Sequence, residues 1–477
     1  METGTLVAIT ASVHYVLQAG TMVRALSRPG RDPASRLAWV LVILAIPALG
    51  VALYLLLGEV SPGRRRALKL RDTRASLPVS PPGLGRVDPP DRGRAAFARA
   101  EAVNGFATLP GNAARLMGDS DDAVSALIAD IDAARESVHV LVYIWLDDGN
   151  GQRLMQAMAR AARRGVACRA MVDGLGSRKL PRSSHWREMQ AAGVKTGIAF
   201  DTSWAFARLA LGRVDIRNHR KLFVIDGRIA HIGSQNCADA AFLPKAKFAP
   251  WVDIMLRVEG PVAWQQQALF VADWMGQGGD DIAAMLDEAP DAMPDGFPAL
   301  VFGTGPDLSP GAVPDVVGLL LASARREVVI STPYFVPTAG LAEQLRATAI
   351  RGVSVTLIVP ARNDSRMVGW ASRSSWPGLL QAGVVLREFT PGLLHAKTLT
   401  VDGQLSLVGS ANLDRRSFEL NFENSLLIAD EAVTATIRAR QSDYAAEAPA
   451  VSAESVANWS LPHRLLCNIA AMISPVL

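Results

Sequence analysis

Apolar and polar positions alternate in three different ways along this chain. Residues 37 to 57 (LAWVLVILAIPALGVALYLLL) form a run of 21 residues without a charge, long enough at about 1.5 Å per residue to cross about 30 Å of hydrocarbon. Trp39 and Tyr54 lie near its ends, where interfacial aromatics are favoured. Thr5 to Val23 is a weaker apolar stretch interrupted by His14 and Gln18, and it lacks the basic start and small-residue cleavage site of a removable signal. The pattern predicts two membrane-spanning helices within residues 1–60. Residues 76 to 95 (SLPVSPPGLGRVDPPDRGRA) have no apolar period, so 61–100 is expected as a basic Pro/Gly-rich linker.

Beyond residue 100 short β-type apolar runs alternate with helix-like segments, and the alternation occurs twice. IDAARESVHVLVYIWL (131 to 146) parallels LASARREVVISTPYFV (321 to 336), AARRGVACRAMVDG (161 to 174) parallels TAIRGVSVTLIVPA (348 to 361), and QAAGV (190 to 194) parallels LQAGV (380 to 384). Offsets of 187 to 190 residues point to a duplication. The expected fold class is α/β: two duplicated lobes, 101–280 and 281–477, each a mixed sheet flanked by helices. The turn-rich, acidic stretch 278 to 316 is expected to hold the connection.

Composition narrows the partners. The chain has 477 residues, 49% hydrophobic and 20% charged, with 49 Lys and Arg against 45 Asp and Glu. A net charge of +4 is too small to suggest a nucleic-acid partner. Local charge says more. Arg24, Arg28, Arg31 and Arg36 mark the loop between the apolar stretches, while Arg64, Arg65, Arg66, Lys69, Arg71 and Arg74 follow the second. Six against four lean toward a cytoplasmic body, and the longer run also suits anionic headgroups. Cys168, Cys237 and Cys467 have neither metal-ligand nor disulfide-framework spacing, and no nucleotide or zinc motif occurs.

The chemistry lies in one motif present in both halves: NHRKLFVIDGRIAHIGSQN at 218 to 236 and LHAKTLTVDGQLSLVGSAN at 394 to 412. In each, Lys follows His by two residues, Asp-Gly by seven and eight, Gly-Ser by fourteen and fifteen, and Asn by seventeen. On an extended chain residues two apart share a face, so His219 with Lys221, and His395 with Lys397, are expected side by side. Asp226-Gly227 and Asp402-Gly403 sit between apolar runs and predict tight hairpins. Both aspartates are therefore assigned mainly to the turn, while staying in the candidate catalytic set as motif members. Ser234, Asn236, Ser410 and Asn412 are expected to offer donors to a phosphate. Two imidazoles, two ammonium groups and two amides suit a phosphodiester whose charge grows in the transition state.

The duplicated HxKxxxxDG with its trailing GSxN resembles the phospholipase D superfamily. The paired apolar N-terminal stretches ending in LYLLLGE, the segments YIW, TPYFVP, GTGPD and NLDRRSFELNFE, and the terminal SPVL resemble bacterial cardiolipin synthases. That resemblance implies two phospholipase D-like lobes and a multi-pass enzyme of the bacterial inner membrane. It also implies condensation of two phosphatidylglycerols to cardiolipin and glycerol through a phosphatidyl-histidine, with no cofactor or metal. Membrane phospholipids are the implied partners, and oligomeric state is left open. The resemblance further assigns Asp253 (PWVD) and Glu423 (NFEN) as carboxylates orienting the histidines, with His219 as nucleophile and His395 as acid/base. Two departures flank the first site. Leu141 stands where many such enzymes carry Glu, and CADAAF follows Asn236. Release of the intermediate to water would make the chain a phospholipase D, and a silent membrane scaffold is the non-enzymatic alternative.

Other features have plainer readings. His139, His185, His231 and His463 are expected as hydrogen-bonded structural residues, and Asp119, Asp121 and Asp122 as a helix cap rather than a metal site. Trp204, Phe206, Leu209 and Leu211 form an apolar stretch suited to an acyl entrance or to packing. The apolar tail from Trp459 to Leu477 is too interrupted for a span and is expected to dock on the body or on a membrane surface.

Overall fold

A computed structural model describes residues 2–28, 33–201, 213 and 215–473. The stretch holding Trp204, Phe206, Leu209 and Leu211 lies outside the described residues. The first lobe contributes β1 (Leu109–Leu116), β2 (Ser137–Val142), β3 (Ala167–Asp173), β4 (Lys195–Ala199), β5 (Leu222–Ile225), β6 (Ile229–Gly233) and β7 (Met255–Glu259). The second contributes β8 (Phe297–Thr304), β9 (Glu327–Ser331), β10 (Ser354–Pro360), β11 (Val385–Phe389), β12 (Thr398–Val401), β13 (Leu405–Gly409) and β14 (Asn421–Ala429).

These strands form one sheet in the order β11-β10-β9-β12-β13-β14-β8-β1-β7-β6-β5-β2-β3-β4. Each half of that order is the reverse of the other with the strands renumbered by seven, so the duplication is visible as a pseudo-twofold. The outer three strands of each lobe run parallel, and the inner pairs are antiparallel. Parallel neighbours need crossover helices, supplied by Gly149–Arg163 and Ser184–Ala191 in the first lobe. Ala339–Ile350 and Trp376–Gln381 are their counterparts. The lobes meet edge to edge at β1 and β8, where an irregular register is filled by Asn112, whose amide donates to Leu109 O (2.8 Å) and Phe297 O (3.0 Å). Joining the edges this way removes two exposed strand edges.

The expectation of two membrane-spanning helices is not met in that form: among the described residues no helix is long and apolar enough to cross a membrane. The 21-residue apolar run is split into Pro33–Ala45 and Pro47–Leu57. Ile46 (φ −133°, ψ 72°) precedes a proline, which disfavours the helical region for it. The halves fold against each other. Trp39 and Tyr54, expected at interfaces, are buried edge to face with ring centroids 5.4 Å apart. At Gly50 a Cβ would lie 2.5 Å from Val42 O.

The segment expected as linker is partly docked. Helix Arg64–Ala75 buries Leu70 against Gly276, at the end of helix Val262–Gly276, and Arg74 pairs with Asp307 at 2.9 Å. Arg66 lies over the Phe200 ring. Part of the basic run thus binds the body rather than lipid.

The plainer readings match the geometry. Asp119 caps helix Ser120–Ala133 by accepting from the N–H groups of Asp121 and Asp122. His139 bonds Gln267 at 3.0 Å and His231 bonds Asp130 at 2.7 Å, while His185 Nδ1 lies 2.8 Å from Asp147 without hydrogen-bond geometry. The three cysteines are buried and unpaired with one another.

Candidate active site

Each motif histidine is placed by the opposite lobe. Arg217–Asn218 pairs in parallel with Asn421–Phe422, and the His219 N–H donates to Phe422 O at 2.9 Å. The next residue, Glu423, accepts from His219 Nδ1 at 2.9 Å. The second lobe repeats the arrangement. Leu393–Leu394 pairs with Trp251–Val252, the His395 N–H donates to Val252 O at 2.8 Å, and Asp253 accepts from His395 Nδ1 at 2.5 Å. The backbone register sets the carboxylate against the ring. With Nδ1–H committed, each Nε2 is left to face the cleft.

Both rings wall one cleft of about 560 Å³, together with Asn236 and Asn412. That volume is typical of a small-molecule site. Tyr143 packs on His219 with centroids 4.9 Å apart, and Trp251 on His395 at 4.8 Å. Asn236 Oδ1 accepts from the Ile144 N–H at 3.1 Å, which leaves its amide hydrogens as donors toward the cleft.

The lysines lie behind the histidines. Residues 219–221 are outside the strands, and Lys221 Nζ folds back to donate to His219 O at 2.9 Å, as Lys397 Nζ does to His395 O at 2.7 Å. Burial pushes Lys221 down to about 8 and Lys397 down to about 7, with Glu423 and Asp253 opposing the change. Burial likewise pushes His219 down to about 4 and lowers His395. Burial thereby favours the unprotonated ring, and the Glu423 and Asp253 carboxylates act against it.

Two groups of expected site residues sit elsewhere. Ser234 and Ser410, assigned to a phosphate from sequence, donate instead to the orienting carboxylates: Ser234 Oγ to Asp253 at 2.6 Å, and Ser410 Oγ to Glu423. Asp226 and Asp402 are at the far ends of their hairpins, seven residues along an extended chain or roughly 20 Å from the histidines. Their φ of 50° and 53° confirm the turn. Each carboxylate accepts from three consecutive N–H groups, Arg135 to Ser137 for Asp226 and Arg325 to Glu327 for Asp402. They anchor the starts of β2 and β9 and lie outside the lining of the cleft.

The two carboxylates differ. Glu423 accepts from His219, Ser410, Ser417 (2.9 Å) and Asn421 (3.2 Å), whereas Asp253 accepts from His395 and Ser234. More donors spread the charge of Glu423, so it favours the protonated ring less than Asp253 does.

Residues that motif spacing did not single out complete the cleft. Tyr334, Asp364, Asp414, Arg217 and Arg416 line it. Tyr334 Oη donates to Asp364 at 2.7 Å, and Lys245 crosses from the first lobe to pair with Asp364 at 2.5 Å. The signal was present in YIW, TPYFVP and NLDRRSFELNFE, which supply Tyr143, Tyr334, Asp414 and Arg416. Of the two departures, Leu141 is core, while CADAAF ends in Phe242, stacked on Trp251 at 4.0 Å. That second departure therefore shapes the wall behind His395.

Comparisons with known proteins agree with this architecture. The family described as "Cardiolipin synthase, PLD-like domain" matches residues 127–274 and 319–442, and "Phospholipase_D-nuclease N-terminal" matches 16–59. Cardiolipin synthase A of Pectobacterium carotovorum is 36% identical over 97% of each chain, and that of Edwardsiella ictaluri 35% over the same share. The crystal structure of a phosphatidylserine synthase from Haemophilus influenzae superimposes with a TM-score of 0.60 at 17% identity, covering 80% of this chain and 100% of that one. With this fold, two histidines converging on one cleft and near-full-length similarity, the chain belongs to the cardiolipin synthase, PLD-like domain family.

Proposed function

We propose that this chain is a cardiolipin synthase that moves a phosphatidyl group from one phosphatidylglycerol to another and releases glycerol. The observation that carries the reading is the crossed pair of imidazoles, each held through Nδ1 by a carboxylate of the other lobe, opening into one cleft. His219 Nε2 attacks phosphorus and the bond to the glycerol oxygen breaks, with His395 giving that oxygen its proton. The resulting phosphatidyl-imidazolium carries a positive charge facing the Glu423 carboxylate. A second phosphatidylglycerol hydroxyl then passes its proton to His395 and attacks phosphorus, and His219 leaves neutral.

Lys221 and Lys397 hold positive charge beneath the phosphate, and Asn236 and Asn412 donate to its oxygens. Assignment of the nucleophile to His219 is supported by the more heavily bonded Glu423, which favours a neutral ring. Asp253, with fewer donors, suits an acid that cycles through its protonated form. No metal or cofactor is assigned a role.

Membrane attachment is part of the proposal. The N-terminal helices turn Leu6, Ile9, Val13, Leu37, Leu41 and Leu44 outward. A folded-back hairpin with such a surface is stable only where hydrocarbon covers it.

The test is incubation with phosphatidylglycerol in mixed micelles without added metal, following cardiolipin, glycerol and phosphatidic acid. Cardiolipin and glycerol in equal amounts, absent in His219→Ala and His395→Ala, are expected. Phosphatidic acid as sole product would replace the transferase with a hydrolase.

A further inference from the structure

The C-terminal helix Leu461–Ile473 takes no part in the chemistry, and its surface is unusual. Cys467 and Ala470 turn inward, where Ala470 packs with Ala371 and Val336. The outward face carries Leu461 (65% exposed), Leu465 (51%), Ile469 (51%) and Met472 (74%). Their spacing of four, four and three residues puts them on one side of a helix. A ridge of this kind in water loses about 25 cal/mol for each Å² of apolar surface left uncovered.

The ridge adjoins the cleft. The helix packs on Arg366–Arg373, and Ser365 and Val368, at the start of that segment, are cleft walls. Asp364, just before it, is the residue that Lys245 reaches from the first lobe. Lys245 belongs to the loop Leu243–Phe248, where Leu243 is 71% exposed and Pro244 also lines the cleft. An apolar point on one lobe and an apolar ridge on the other thus flank the same mouth. Exposed cations stand beside them: Lys245 and Lys247 on the loop, Arg362 and Arg366 before the helix, and Arg464 on it.

We infer that the Leu461–Ile473 ridge and the Leu243 loop form an interfacial surface that seats the cleft mouth on a phospholipid bilayer. Three features choose lipid over another occupant. The apolar side chains are bordered by cations, as anionic headgroups require. The surface is continuous with a cleft whose proposed ligands are phospholipids. It is also carried by elements other than the N-terminal helices, so it would give the body its own hold on the bilayer. In this arrangement a headgroup rises a short way into the cleft while its acyl chains stay in hydrocarbon, which accounts for a cleft too small for whole lipids. The reading of the cleft as a lipid site serves here to name the occupant.

The test places a nitroxide at Leu465→Cys and, separately, at Leu243→Cys in the full-length protein in vesicles of phosphatidylglycerol and phosphatidylethanolamine. Cys168, Cys237 and Cys467 are buried, so labelling is confined to the new thiol. Power saturation should show collisions with oxygen exceeding those with a water-soluble nickel chelate several-fold at both positions. Greater access to the chelate would mean water covers the ridge, and low access to both reagents would mean protein covers it, as in a dimer. Either result overturns the inference. Since the readout is depth and not turnover, it is independent of whether the cleft makes cardiolipin.

Discussion

The two histidines show how much a buried environment alters ordinary side chains. An imidazole pushed down to about 4 remains neutral as pH falls well below 6.5, so the acid limb of kcat/KM attributable to His219 lies below the usual imidazole range. The lysines act in the other direction. Lowered to about 7 and about 8, Lys397 and Lys221 lose their charge as pH rises through that window rather than near 10.5. Accordingly, kcat/KM is expected to decline between about pH 7 and 8. Because bound phosphodiester favours the ammonium forms, kcat should hold to higher pH than kcat/KM. A kcat/KM profile flat to pH 9 would refute this. At this scale the sequence was informative: a doubled spacing singled out both His and both Asn, which the fold brings to one cleft, and both Lys, which lie behind it. It was silent on which carboxylate faces which ring, because that pairing crosses lobes and depends on the strands carrying Phe422 and Val252. The bonds of Ser234 and Ser410 to the carboxylates were not legible, because a hydroxyl beside a turn suits a carboxylate as well as a phosphate.

At the scale of elements, the Asp-Gly hairpins were readable because only a few residues adopt positive φ at such turns. What the turn aspartates bind was not, since the N–H donors lie 75 to 91 residues away. Asp402→Ala would leave three N–H groups near Glu327 without their acceptor. The expected cost is about 1–3 kcal/mol, read as a lowered Tm, with kcat of the folded fraction within about twofold of the parent by the separation from the cleft. A large fall in kcat with unchanged Tm would keep Asp402 in the catalytic set. The apolar N-terminus departs from a single long helix for a physical reason. Length and hydropathy were right for a span, yet Pro47 takes Ile46 out of the helical region and Gly50 admits a close crossing.

For the whole molecule, repeats in sequence revealed two lobes but not their fusion into one sheet, since β1 and β8 join through backbone pairing, which carries no residue code, with Asn112 the one side chain described at the seam. Arg220 shows how tightly the halves are tied. Fully buried, it pairs with Asp273 at 2.7 Å and donates to Thr304 O and Glu423 O in the second lobe. Removing one partner of a buried pair costs about 3–5 kcal/mol, so Arg220→Met should lower the midpoint of denaturant unfolding while both lobes still unfold in one transition. Two separated transitions in the parent protein would contradict the single-sheet account. That architecture serves the chemistry, because neither lobe holds a complete histidine–carboxylate pair by itself.

Trapping the covalent intermediate tests the two-histidine mechanism most sharply. In His395→Ala, a phosphatidyl ester of p-nitrophenol needs no proton on its leaving group, and the base that would resolve the intermediate is missing. A burst of about one equivalent of nitrophenolate is expected, by the logic of an accumulating intermediate, with the phosphatidyl adduct on His219 by mass spectrometry. A burst persisting in His219→Ala, or an adduct on any other residue, would contradict it.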